Sequence, residues 1–299
     1  MVLIFAGPMA NPRRKSSFKE MGFLASTVAD SIESFHKTYH DWIKLYYDLN
    51  CFAQLQRVST SMQKNNLRSG VVYCLFYRLL STYQSAFLLI EHGSDIDAKA
   101  LLRNLVETVF ALVATVKDDA FLQPFIAVDE KKRIALLRSV VEIYNELKEK
   151  QTDQLLTEEQ VASMQDDIND YEQRQTDCSS SVYFTKEMRE TVKVSEIAKR
   201  ADLTVVYKQH YSYLCLYAHP SPNGMRDYFT QDALGKVYFK SGQIDNGAEA
   251  NMRMAISVLI LGLDAFSTFF ERDLKGSFAL FSQRLNEVIE HSHTQKAKA

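Results

Sequence analysis

Hydrophobic and polar positions recur with a helical period along most of the chain. From about Phe23 into the fifties, Val28, Ile32, Phe35, Tyr39, Trp42, Ile43 and Tyr46 follow one another at helical spacing, which predicts one long amphipathic helix. A second, more apolar run extends from about Ser69 to His92 and stops at Gly93, a residue suited to a helix C-terminus. The Ser94-Asp-Ile-Asp97 segment has a capping-box-like pattern that starts a third helix. After Asp118 and Asp119 the helical pattern resumes, passes Pro124 and continues as a charged, amphipathic run to about Lys150. Thr157-Glu-Glu-Gln160 is a second capping box and opens a polar helix with a thin apolar stripe. The Ser-rich stretch Cys178–Tyr183 reads as a loop, Ser195 as the cap of a short helix, and about Leu203 to His219 as another helix. Pro220-Ser-Pro-Asn-Gly224 ends that helix abruptly. Gly235–Gly242 is the one plausible β element. Asn246-Gly-Ala-Glu249 is a third capping box, opening a long apolar helix to about Arg272, and a last amphipathic helix runs from Gly276 to about His291.

Helices joined by short loops predict an all-α fold, a multi-helix bundle with a protruding helical arm at about 118–178 and at most one short β-hairpin. The expected organisation is a flexible N-terminus (1–22), a single helical domain (23–292) and a disordered tail (293–299). Composition agrees with few, long elements, since 299 residues contain only 10 Gly and 5 Pro. A hydrophobic share of 46% supplies a sizeable core. The net charge of −2 provides no global field toward nucleic acid or an anionic membrane.

The cysteines, Cys51, Cys74, Cys178 and Cys215, form no C-x-x-C and no zinc-ribbon spacing. Cys74 and Cys215 lie in apolar helical patterns and read as small buried hydrophobes. Near the N-terminus an apolar run precedes Arg13-Arg14-Lys15, the reverse of the order in a secretory signal. Met254–Phe270 is the most membrane-like segment, but it carries Asp264 and is shorter than the ~20 apolar residues of a span. A soluble, cytoplasmic protein without a membrane partner is the expectation.

Chemistry concentrates in two segments. Ala100–Val116 is apolar except for Arg103 and Glu107, four residues apart and hence on one helix face. A helix this apolar is expected to be buried nearly all round, where charges need partners. Arg before Glu is also the weaker order for local helix support, so a tertiary role is expected for the pair. The second segment is Tyr207–Gly224. Tyr211, Cys215 and His219 are spaced by four and suit a polar column, with His219 at a helix end that favours positive charge. A plain reading stands beside this one, with His219 as a C-terminal cap and the tyrosines, Tyr207 among them, as core.

These two motifs together resemble a bacterial helical family known only as a domain of unknown function. Its pattern is R-x-x-x-E in an apolar helix followed by Y-x-x-L-S-x-x-x-H. The matching residues here are Arg103 and Glu107, then Tyr211, Leu214, Cys215 and His219, with Cys215 where the family has Ser. The resemblance spans about Ser69 to Phe270. It implies that the two motif helices pack together and that Arg103, Glu107 and His219 meet in one buried polar cluster. There Glu107 would orient the imidazole, and Arg103 would neutralise Glu107 or hold an anionic ligand through its fork. A carboxylate and a His are also a minimal acid–base pair. A purely structural ion network is the alternative.

Other motifs carry less. Arg284 and His291, with six residues between them, fit the R-x(4–6)-H of helical ribonucleases, but one such match is expected by chance. Glu33, His36 and His40 have ligand spacing on one helix, yet no second E-x-x-H completes a di-metal bundle, so neither metal nor cofactor is expected. Lys131-Lys132-Arg133 reads as a solvated face. No P-loop, G-x-G-x-x-G, G-x-S-x-G or H-E-x-x-H is present.

Three functional readings follow. In the leading one the Arg103–Glu107–His219 cluster organises a site for a small ligand or a protein partner, with Tyr207, Tyr211 and Cys215 as binding residues. The alternative is a metal-independent ribonuclease of the toxin or phage-defence kind, with His219 as acid–base group and Arg103 as phosphate stabiliser. The charge balance disfavours RNA as a partner. The third is a scaffold that forms a homodimer through the Thr157–Gln175 arm.

Overall fold

The computed structural model describes residues 16–150, 156–176, 189–190, 192–219, 222–232, 234–239 and 247–296. The fold is all-α with one small hairpin. A short helical turn, Phe18–Met21, precedes α1 (Val28–Thr38) and α2 (His40–Val58). Next come α3 (Leu67–Glu91), α4 (Asp95–Lys117), α5 (Leu122–Glu149), α6 (Glu158–Thr176) and α7 (Val194–Arg200). The turn Thr204–Val206 leads into a π-helical turn, Tyr207–Tyr211, continuous with α8 (Ser212–Ala218). Antiparallel strands β1 (Phe229–Gln231) and β2 (Val237–Phe239) follow, with Thr230 opposite Tyr238. The long helices α9 (Ala248–Phe269) and α10 (Lys275–Lys296) complete the chain.

The chain divides into two compact units, one formed by residues up to Leu112 together with those from Val206 onward, the other by Val113–Val205. In the first unit α9 lies along α3, and α2 packs against both. Close approach of α9 is set by Gly262, where an added Cβ would come within 2.1 Å of Leu79 Cδ2 on α3 and 3.5 Å of Val109 Cγ2 on α4. Tyr46 of α2 and Tyr83 of α3 lock their helices together. The two rings stack with centroids 3.8 Å apart. Each hydroxyl donates to the other residue's carbonyl, at 2.6 and 3.0 Å, so two buried polar atoms are satisfied without water.

In the second unit α6 folds back on α5 around Ile134, Ile168 and Tyr171. Exposed ion pairs flank that seam, Arg138 with Glu172 at 2.6 Å and Arg133 with Asp167. The Thr157 capping box that opens α6 forms as the spacing predicts: Thr157 N–H donates to Gln160 Oε1, and Gln160 N–H donates to Thr157 Oγ1.

Several local expectations are corrected. The helix expected from Phe23 into the fifties is broken at Tyr39, whose φ of −109° and ψ of 26° separate α1 from α2. Ser195 lies inside α7, and Lys193 occupies the cap position. Cys74 is exposed and Cys215 half-buried, because the apolar face of α3 points away from Cys74 and Cys215 meets a polar group. The last helix continues past His291 to Lys296. Helix α9, at 22 residues, is long and apolar enough to cross a membrane, and 56% of its most apolar stretch is buried in the fold. The Cys178–Tyr183 loop and the cap residue Asn246 lie outside the described residues.

Candidate functional site

The pattern of α4 explains the arrangement of polar groups in the first unit. No residue from Ala100 to Val116 is exposed, as its composition predicts. Along this buried helix Asp95, Lys99, Arg103 and Glu107 recur every fourth position and so form one row. Each member reaches a partner far away in sequence. Asp95, 3% exposed, accepts from Gly247 N–H at 3.1 Å and from Asn251 Nδ2 at 3.3 Å. It therefore caps α9 from another helix, placing negative charge where the helix dipole favours it. Lys99 Nζ donates to Asp227 Oδ2 at 2.7 Å and lies 4.2 Å from the centre of the Tyr217 ring. Tyr217 also donates to Asp227 Oδ2, at 3.0 Å. Its one hydroxyl hydrogen is thereby committed, so Tyr213 donates to Tyr217 across their 2.9 Å contact.

Arg103 and Glu107 form the centre of the row. Their side chains are 20% and 29% exposed, and Arg103 Nη2 donates to Glu107 Oε1 at 3.1 Å. Tyr211 closes a triangle with them. Its hydroxyl donates to Glu107 Oε1 at 2.7 Å and accepts from Arg103 Nη2 at 2.8 Å. Arg103 Nε points at Cys215 Sγ, 3.4 Å away. Burial, then the hydrogen bond to Glu107 and its charge, push the Tyr211 phenol far above its ordinary value, so it acts here as a fixed neutral donor. The Nε/Nη2 edge of Arg103, one of the two edges through which a guanidinium holds an anion bidentately, is thus taken by protein groups.

Arg103 and Glu107 thus make tertiary contacts as well as their own pair, and the two motif helices do meet. The expected convergence with His219 is corrected. His219 is exposed, has extended backbone angles (φ −130°, ψ 150°), and makes no hydrogen bond or ion pair with Arg103 or Glu107. The reason is geometric. His219 lies one turn beyond Cys215, past the end of α8, and the level it would occupy already holds Lys99, Tyr217 and Asp227. Tyr207 enters no hydrogen bond with the row; its ring stacks on Tyr211 with centroids 5.2 Å apart.

A π turn is what brings Tyr211 into place. Ser212 N–H donates to Tyr207 O, five residues back, so one extra residue is accommodated in the turn. That turn forms one wall of an open cleft of about 1030 Å³ within the first unit. Gln209, His210 and Tyr213 line it on this side, and Glu249, Arg253 and Met254 of α9 line it opposite. The break at Tyr39 places Tyr39 and Trp42 at one end of the cleft. Trp42 is 4% exposed, and its indole N–H is buried without a hydrogen-bond partner. Burial, aided by the charge of Arg253, holds the His210 imidazole below its ordinary value.

The sequence reading missed this cleft, together with Asp95 and Lys99. The period of four that links Arg103 to Glu107 continues upstream to both residues and was the available signal. The cleft itself depends on a helix break and a π turn, neither of which leaves a pattern in the residues. The remaining motif residues are dispersed. Glu33 pairs with Lys37 at 2.6 Å, His36 with Glu91 at 3.0 Å and His40 with Asp41 at 3.0 Å, so each faces a different partner. Arg284 and His291 pair separately with Asp48 at 2.6 Å and Asp41 at 3.1 Å on α2. Lys131, Lys132 and Arg133 are exposed on α5.

No curated protein and no solved structure matches the chain. One family does: its sequence model covers residues 70–236, more than half of the chain, and takes in the whole of the Arg103–Glu107–Tyr211–Cys215 cluster. The chain belongs to DUF5677, a family of unknown function.

Proposed function

We propose that the protein binds a small ligand in the cleft between the π turn and α9, and that the Arg103–Glu107–Tyr211–Cys215 cluster braces the wall of that site. The observation that carries this reading is the cleft itself. Its volume of about 1030 Å³ is at the upper end of the range typical of small-molecule sites, and its lining mixes aromatic, aliphatic and ionisable groups. Trp42, 4% exposed, supplies an aromatic part of that lining. A π turn is an uncommon backbone device that recurs at functional sites, and here it presents Gln209 and His210 to the cleft.

The cluster organises this site from behind. Its hydrogen-bonding edges are turned toward one another, which suits a support and leaves little for a ligand. The ribonuclease reading draws no support from the geometry, since Arg103 and His219 share no contact and Arg284 and His291 are each engaged by an aspartate.

Crystals soaked with a mixed fragment library test the proposal. Fragment density between His210 and Arg253 is the expected result. Density confined to other surfaces, with the cleft holding only solvent, would remove the basis of the reading.

A further inference from the structure

The cleft brings together three basic side chains. His210 of the π turn, Arg253 of α9 and His293 of α10 all line it, and none makes an ion pair or hydrogen bond among the described residues. The groups also act on one another, because the Arg253 charge disfavours protonation of His210. Glu249 is the one carboxylate in the lining among the described residues. An anion seated beside Arg253 would be paired with that charge and would favour protonation of His210 next to it, and a low-dielectric wall strengthens both effects.

The rest of the lining is different. Trp42, Met254, Val258, Leu261 and Ile289 form an apolar part of the same cleft. A free inorganic ion would leave that surface exposed to water, while a purely apolar molecule would bury Arg253 and His210 without compensation. The chemistry that satisfies both parts is an anionic head joined to an apolar body.

We infer that the ligand of this cleft is an amphiphilic anion, a carboxylate or phosphate ester carrying a hydrophobic chain or ring. Its head sits between Arg253 and His210, and its body lies against Trp42 and the apolar face of α9. The inference rests on the cleft being the ligand site. Carboxylate and phosphate share the chemistry that Arg253 recognises through its planar fork of donors, so both belong to the proposal at this level.

Trp42 is the chain's single tryptophan and lines the cleft, so its fluorescence reports occupancy directly. The full chain is titrated with decanoate, decyl phosphate and the neutral decanol, with calorimetry run in parallel. The expected result is a shift of Trp42 emission with one or both anions and an affinity for decanol at least about ten-fold lower, the loss that follows from removing a charge-assisted hydrogen bond. Arg253→Gln is expected to abolish that preference, whereas His219→Ala, outside the cleft, retains it. The stronger of the two anions identifies the head group. Equal binding of decanol and the anions, both seen at Trp42, would overturn the anion inference and leave the cleft as a ligand site. Calorimetric binding without a change at Trp42 would place the ligand elsewhere and overturn the cleft reading as well. No binding of any of the three overturns the inference.

Discussion

The Tyr211 hydroxyl donates to Glu107 Oε1 at 2.7 Å across 104 positions of sequence, and this bond ties the π turn to the buried helix α4. The same hydroxyl accepts from Arg103, so one side chain serves both members of the ion pair. Tyr211→Phe retains the ring and removes both bonds. It is expected to cost about 1–3 kcal/mol, the penalty for unpairing buried polar groups, read as a lower urea midpoint with an unchanged slope. Amide exchange is expected to accelerate in Tyr207–Ala218 ahead of α3 and α9.

Arg103 and Glu107 depend on each other, and single substitutions expose that dependence. Arg103→Met leaves Glu107 with only Tyr211, and Glu107→Leu leaves Arg103 with a phenol and a thiol. Each is expected to destabilise by about 1–3 kcal/mol. The double variant is expected to be less destabilised than the sum of the two, because removing both partners leaves no orphaned charge. Additive losses in a chemical-denaturation cycle would mean that the pair is not coupled.

His219 is the contrasting case. It is exposed and lies past the end of α8, so His219→Ala is expected to change stability by no more than about 0.5 kcal/mol. A larger loss in thermal or urea unfolding would show that it contributes to the cluster after all.

What was legible in the residues and what was not can be separated physically. The long elements α3, α4 and α9 stand out because extensive burial imposes a long, mostly apolar run on the sequence. The importance of Arg103 and Glu107 is legible for the same reason, as two charges in an apolar run require partners. Tyr211 was visible through its spacing from Cys215, but Glu107's choice of Tyr211 over His219 depends on where α8 ends. The break at Tyr39 follows no Gly or Pro, and the π turn over Tyr207–Tyr211 is a matter of one hydrogen bond five residues back. Both are tertiary decisions, and the cleft they create was hidden with them.

Gly262 tests the packing of α9. Its Cβ position lies 2.1 Å from Leu79 Cδ2, and Leu79 is fully buried, so the leucine cannot move aside without disturbing its neighbours. Gly262→Ala is therefore expected to destabilise by about 1–3 kcal/mol despite the better helix propensity of Ala, measurable as a lower Tm. Asp95→Ala acts at the other end of the same helix. It removes the acceptor for Gly247 N–H and the Asn251 amide, with an expected loss of about 1–3 kcal/mol.

The most direct measurement is the imidazole titration of His210, followed by NMR in the free protein and with decanoate bound. Burial and Arg253 place the folded value below the ordinary 6.5. In the unfolded chain the ring protonates first, so the contribution of His210 to stability is fully present above about pH 6.5 and is lost as pH falls from there through the folded value. An anionic head beside the ring reverses the shift, and binding must then tighten as pH falls through the same window. The expected result is a free value below 6.5 that rises on binding. A His210 titration identical with and without ligand, under saturation confirmed by calorimetry, would contradict a ligand site between the π turn and α9.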